Sequence, residues 1–164
     1  MVEQWNGARA LVTGADGFIG SHLVELLVQA GANVRAYVYY NSWNEIGWLN
    51  SLPRDARREV EIFPGDIRDA DRVAEVVRGC SYVFHLASLV GIPYSYSAPR
   101  SYIDVNVGGA VNVAQACRAS DALIRLVHTS TSEVYGTAQR LPIDEDHPMV
   151  GQSPYAASKI GADK

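Results

Sequence analysis

Ala10-Leu11-Val12-Thr13-Gly14-Ala15-Asp16-Gly17-Phe18-Ile19-Gly20 decides how this chain folds. Ala10 to Val12 is a short apolar run, the mark of a buried parallel strand. The run breaks at Gly14, and a helical pattern opens near Phe18. Ile19, Leu23, Leu26, Leu27 and Ala30 follow the rhythm of a helix with one buried face. Gly14, Gly17 and Gly20 therefore fall on a strand-to-helix turn. A bare backbone there can take positive φ, and a pyrophosphate can reach the helix N-terminus without meeting a Cβ. Gly20 lets the helix pack close to the strand. The placement, more than the glycines themselves, points to a dinucleotide.

The composition bounds what this turn can belong to. With 164 residues, 48% hydrophobic and 20% charged, the chain suits a single domain with an ordinary core. A formal charge of -4 speaks against nucleic acid as a partner. Met1 to Asn6 lacks a basic stretch followed by an apolar run, and no apolar run reaches the length of a membrane span, so the expectation is a cytoplasmic protein without a leader or membrane segment. Cys80 and Cys117 have neither metal-like nor redox-like spacing and read as reduced, buried thiols. His22, His85, His128 and His147 show no ligand spacing, and no metal is expected. His85 and His128 lie in apolar strand patterns as core or strand-end residues.

Outward from the turn, strands and helices alternate. Gly31 stops the first helix, and Val34, Ala36, Tyr37 and Val38 make strand two. Tyr40 to Ser51 reads as a loop with at most a short helix over Glu45 to Asn50. Val60, Ile62 and Phe63 form strand three, closed by Pro64-Gly65. Asp69 caps a helix that buries Val73, Val76 and Val77 and ends at Gly79. Tyr82 to Leu86 is strand four, followed by a loop containing Pro93 and Pro99. A long helix presents Ile103, Val107, Ala110, Val111, Ala114 and Cys117, and Ile124 to His128 is strand five. A last helix opens at Ser153 or Pro154. This alternation predicts an α/β fold with a doubly wound, Rossmann-like parallel sheet. Only two strands of its second half are present, so residues 1–164 read as an incomplete NAD(P)-binding domain without a substrate lobe.

Tyr155-Ala156-Ala157-Ser158-Lys159 carries the chemistry. Four residues apart on a helix, Tyr155 and Lys159 share a face with Cβ atoms about 6 Å apart. An ammonium about 4 Å from a phenolate stabilises it by about 4 kcal/mol at an effective dielectric near 20. Such a tyrosine can exchange a proton with a carbinol while a nicotinamide handles the hydride. Asp66 lies just past strand three, at the sheet edge where such folds bind cofactor, and reads equally well as a loop-capping carboxylate. The acid that would bind an NAD ribose about 20 residues past the glycines is missing. Tyr39-Tyr40-Asn41-Ser42 stands there, with no arginine for a 2′-phosphate.

Across almost its whole length the chain resembles an extended short-chain dehydrogenase/reductase of the nucleotide-sugar epimerase/dehydratase group. The matching motifs are Gly14 to Gly20, Gly65-Asp66-Ile67-Arg68-Asp69, His85-Leu86-Ala87-Ser88, Thr129-Ser130-Thr131-Ser132-Glu133-Val134-Tyr135-Gly136 and Tyr155 to Lys159. The resemblance implies a cofactor site of Gly14, Asp16, Gly17, Phe18, Ile19 and Gly20, with Asp66 and Ile67 at the adenine and Leu86 and Ala87 beside the nicotinamide. It implies Tyr155 as the proton-transfer residue and Lys159 on the nicotinamide ribose. NAD is the cofactor it favours, with NADP as the alternative, alongside a nucleotide-sugar substrate and a homodimer.

Thr131-Ser132-Glu133 resembles the triplet of GDP-mannose 4,6-dehydratases more than that of dTDP-glucose 4,6-dehydratases, which carry an aspartate at the place of Ser132. Simple 4-epimerases usually lack the glutamate, whereas UDP-glucuronate decarboxylases have it. Tyr40 to Asn44, Gly47-Trp48-Leu49, Ile92 to Tyr96 and Gly136 to Gln139 look like the 4,6-dehydratases of legionaminic-acid-type sugar biosynthesis. The expected activity is nucleotide-sugar 4,6-dehydration, with Thr131 on the developing carbonyl and Glu133 as the second base. The alternatives are a 4-epimerase, a decarboxylase, or a non-catalytic dinucleotide-binding fragment.

Overall fold

A computed structural model describes residues 5–164. Met1 to Gln4, on which most of the leader expectation rests, lie outside the described residues. Five strands, β1 (Arg9–Thr13), β2 (Asn33–Tyr39), β3 (Val60–Gly65), β4 (Tyr82–His85) and β5 (Arg125–His128), form one parallel sheet in the order β3-β2-β1-β4-β5. The chain runs outward from β1 through β2 to β3, then returns to place β4 on the other side of β1. Strand order thus reverses at β1, which opens a crevice past the carboxyl ends of β1 and β4. The register puts Tyr37, Thr13, His85 and His128 in one row across four strands, just inside that edge.

Helices cover both faces of the sheet: α1 (Phe18–Gln29), α2 (Arg54–Arg58), α3 (Ala70–Val77), α4 (Ile92–Ser97), α5 (Pro99–Tyr102), α6 (Gly109–Arg118) and α7 (Pro154–Asp163). Because strand side chains alternate, Ala10, Val12, Val34 and Ala36 pack with Val24 and Leu27 of α1. Leu11 and Val83 pack with Val73, Val76 and Val77 of α3 and with Val113 and Cys117 of α6. These two cores make the doubly wound α/β arrangement that the alternating pattern predicts. Asp69 caps α3 as expected, its Oδ1 accepting from the Arg72 amide at 3.1 Å. No helix among the described residues is long and apolar enough to cross a membrane.

Three local readings need correction. The buried stripe of α1 runs through Gly20, Val24 and Leu27, while Ile19 and Leu26 are 67% and 64% exposed. A Cβ on Gly20 would lie 2.2 Å from the Gly14 carbonyl oxygen, so this bare position is the one pressed against the turn, and the apolar residue beside it rotates outward. The stretch read as a loop around Pro93 and Pro99 is helical, because each proline sits in a first turn, where its missing N–H costs nothing. The long helix exists, but a π-helical segment, Ile103–Gly108, joins α5 to α6. The wider turn shifts the helical phase, so Tyr102, Asn106, Gly109 and Val113 face inward while Ile103 and Val111 are about half exposed. A short helix, α2, went unread altogether.

Candidate cofactor and active site

Past the carboxyl ends of β1 and β4 lies an open cavity of about 870 Å³. That is at the upper end of ordinary ligand pockets, roughly 300–1,000 Å³. Its walls include every cofactor position read from the sequence: Gly14, Asp16, Gly17, Phe18, Ile19 and Gly20 of the turn, then Asp66, Ile67, Leu86, Ala87, Tyr155 and Lys159. Thr131 lines it as well. Glu133 does not; it is exposed on the 3-10 turn Ser132–Tyr135, which the Thr131 hydroxyl caps by accepting from the Glu133 amide at 3.3 Å.

The glycine turn is shaped by close approach. Gly14 has φ +66°, and a Cβ there would sit 2.8 Å from the Ala87 amide nitrogen, so the loops after β1 and β4 touch only because Gly14 is bare. Gly17 differs: an added Cβ would meet nothing closer than the Gly14 carbonyl oxygen at 3.3 Å. That contact is tight but not prohibitive, so the protein's own demand for glycine is weaker at position 17 than at 14 or 20, and a close-approaching pyrophosphate would add a demand of its own. Together with the N-terminus of α1, where Gly17 provides no side-chain cap, this cradle fits a dinucleotide phosphate.

Side chains along this edge hold it in place. Thr13 Oγ1 accepts from the Leu86 and Ala87 amides, both at 3.1 Å, and its own proton goes to His85 Nδ1 at 2.8 Å. His85 is thereby held as the Nε2–H tautomer. Tyr37 donates to the Asp66 carbonyl at 2.9 Å, and burial with the nearby Asp69 carboxylate pushes its phenol up to about 12. The Asp66 carboxylate takes the Arg68 amide and Arg68 Nε, each at 2.9 Å, and this pairing holds its carboxyl below the usual range. Asp66 thus caps its loop, as one reading has it, and also lines the cavity. Asn106 has every polar group engaged. Its Oδ1 accepts from Leu89 N at 2.8 Å and Ser88 Oγ at 3.0 Å, while Nδ2 donates to Leu89 O at 3.0 Å and Ser158 Oγ at 2.9 Å. It ties the loop after β4 to α7. A lone asparagine on an apolar helix face gave no sign of this.

Ser153 caps α7, its Oγ accepting from the Ala156 amide at 3.0 Å. Tyr155 and Lys159 lie on the buried face of that helix, 7% and 5% exposed. Lys159 Nζ donates to the Thr129 carbonyl at 2.6 Å, just past β5, and burial lowers its pKa. The Tyr155 ring packs edge-on against Tyr102, with centroids 6.3 Å apart. Its hydroxyl has no hydrogen-bond partner among the described residues, so the phenol is free to meet a ligand in the cavity.

Behind Lys159, the rings of His85 and His128 stand 5.3 Å apart. Burial, then the His128 and Lys159 charges, push His85 down to about 3 from the ordinary 6.5. The unfolded chain takes up this proton below pH 6.5 while the folded chain refuses it, so the stabilisation is complete above 6.5 and is lost as pH falls toward about 3. At 1.36 kcal/mol per pH unit, acidification from 6.5 to 5 should cost about 2 kcal/mol. Thermal melts at pH 7.5 and pH 5 check this; equal melting temperatures would contradict it.

Comparison with known proteins agrees with this geometry. A family model described as GDP-mannose 4,6 dehydratase matches residues 11–164. UDP-glucuronate 4-epimerase 1 of Arabidopsis thaliana is 33% identical over 96% of this chain and 38% of its own length. The UDP-N-acetylglucosamine 4-epimerase of Methanobrevibacter ruminantium M1, solved with UDP-N-acetylmuramic acid, superposes with TM-score 0.84 at 30% identity, over 96% of this chain and 48% of its own. An NAD-dependent NDP-hexosamine 5,6-dehydratase of tunicamycin biosynthesis superposes with TM-score 0.74 at 31% identity, over 95% of this chain and 48% of its own. The chain thus spans less than half the length of each of these relatives. With its family match, its sheet order and its cavity in agreement, the chain belongs to the NAD-dependent epimerase/dehydratase family of extended short-chain dehydrogenases/reductases.

Proposed function

We propose that this chain is the cofactor-binding and proton-transfer part of an NAD-dependent nucleotide-sugar 4,6-dehydratase, whose substrate lobe lies beyond residue 164. The observation that supports the reading is the Thr131-Ser132-Glu133 segment at the cavity edge, which would supply a base in addition to the Tyr155–Lys159 pair. Thr131 lines the same cavity as Tyr155, and Glu133 follows two residues on, without an ion-pair partner among the described residues. Oxidising a single carbinol needs only the tyrosine and lysine, whereas elimination needs another base.

When bound, a nicotinamide would supply a reversible hydride acceptor beside Tyr155 and Lys159. Tyr155 takes the proton of the C4 hydroxyl as that carbon is oxidised, and Lys159 binds the ribose and favours the phenolate. Thr131 donates to the new C4 carbonyl, which acidifies the C5–H. Glu133 removes that proton and delivers it to the departing C6 hydroxyl, which leaves as water. Reduction at C6, which the cofactor would supply, and a proton returned to C5 would complete the 4-keto-6-deoxy sugar. A second reading, 4-epimerisation, is favoured by the names of the curated relatives, which include UDP-glucuronate and UDP-glucose 4-epimerases. There the C4 ketone is reduced again from the opposite face, and Glu133 has no part.

Glu133→Gln in the complete protein separates the two. For a dehydratase, substrate-dependent reduced cofactor should accumulate while 4-keto-6-deoxy product falls by about 100-fold or more. Nuclear magnetic resonance of the products checks this. Wild-type yield of the keto sugar by the variant, or release of only the C4 epimer by the parent, would overturn the reading.

A further inference from the structure

The end of β2 poses a chemical problem that the glycine turn solves. In folds of this kind a carboxylate at that strand end takes the adenosine ribose 2′-hydroxyl. Here the position holds Tyr39 and Tyr40, both about 60% exposed, and no acid. A carboxylate nonetheless reaches the same place from the turn itself. Asp16 Oδ2 accepts from the Tyr39 amide at 3.3 Å, and the Asp16 carbonyl accepts from Trp48 N at 2.9 Å. Gly47, at φ +55°, admits this second contact, since a Cβ there would lie 2.4 Å from the Asp16 carbonyl oxygen. Asp16 is thus held from two sides in the cavity wall, half-buried, with no cation paired to it among the described residues. The nearby Arg68 is engaged with Asp66.

We infer that Asp16 is the residue that selects NAD over NADP, standing in for the missing strand-end acid. This rests on the cofactor reading above. Its free carboxylate oxygen accepts a hydrogen bond from a ribose 2′-hydroxyl, and the same negative charge repels a 2′-phosphate. The strand-end tyrosines contribute neither effect.

Equilibrium titration of the complete protein with NAD⁺ and with NADP⁺, without substrate, tests this apart from catalysis. The parent should bind NAD⁺ about 100-fold more tightly than NADP⁺. Asp16→Asn keeps an acceptor for the Tyr39 amide and removes the charge. It should narrow the ratio at least tenfold, chiefly by strengthening NADP⁺ binding. Asp16→Ser should behave alike, and Asp16→Glu should restore discrimination. NAD⁺ binding with an unchanged ratio in the asparagine and serine variants would overturn the inference and leave the cofactor reading intact. Binding of neither dinucleotide by the parent would overturn both.

Discussion

Tyr155→Phe should lower turnover of the complete enzyme by about 10²–10⁴-fold, the range that a positioned acid or base contributes. Stability should change little. The Tyr155 hydroxyl makes no hydrogen bond within the protein among the described residues, and the ring contact with Tyr102 is kept by phenylalanine. On the proposed mechanism, loss of the hydroxyl should remove proton transfer and leave the packing as it is. Substrate-dependent formation of reduced cofactor, followed by its absorbance, should disappear together with product. This behaviour should differ from that of Glu133→Gln, which is expected to spare the first oxidation. A phenylalanine variant that still reduces cofactor at the parent rate would show that another group deprotonates the C4 hydroxyl.

Valine at Gly20 and valine at Gly17 should fail in different ways, although both glycines belong to one motif. At Gly20 the new Cβ would stand 2.2 Å from a backbone carbonyl oxygen and 2.9 Å from the Ala15 Cα, neither of which can step aside. That overpacking should cost about 3 kcal/mol or more and lower the melting temperature whether or not cofactor is present. At Gly17 the backbone has an ordinary φ of −77° and the added atom meets little protein. Stability without cofactor should fall by only about 1 kcal/mol, the scale of a lost N-cap preference. The cofactor-induced gain, about 2.7 kcal/mol at a hundredfold excess over Kd, should vanish. Melting curves with and without NAD⁺ distinguish the two. A Gly17→Val protein with the full cofactor shift would remove the phosphate from this turn.

The contrast between these glycines shows what kind of information the sequence carried. The spacing of Gly14, Gly17 and Gly20 reads as a phosphate turn, but it could not say that Gly14 and Gly20 are pressed hard against other backbone while Gly17 is less so. That division depends on which backbone lies opposite each Cα, and the atoms opposite Gly14 come from the loop after β4. Asp16 was legible as part of the motif, whereas its reach to Tyr39 N was not. Asn106 stayed hidden for a related reason. Its four partners lie on two segments distant in sequence, and the π-helical turn moved it off the phase that apolar spacing predicts.

The sequence by itself determined the α/β alternation, the five strands and the main helices between them, the cap at Asp69 and the placing of Tyr155 and Lys159 on one helix face. Each follows from chemistry within a few residues along the chain: apolar period, turn residues and i, i+4 spacing. The tertiary structure alone decided which face of α1 and α6 is buried, and that the row Tyr37–Thr13–His85–His128 backs the cavity edge. It also placed Thr131 in the cavity wall and Glu133 outside it. Those outcomes depend on strand order and on close approach between segments tens of residues apart. Local periodicity is blind to both, because it records how often a chain turns and not what it turns against.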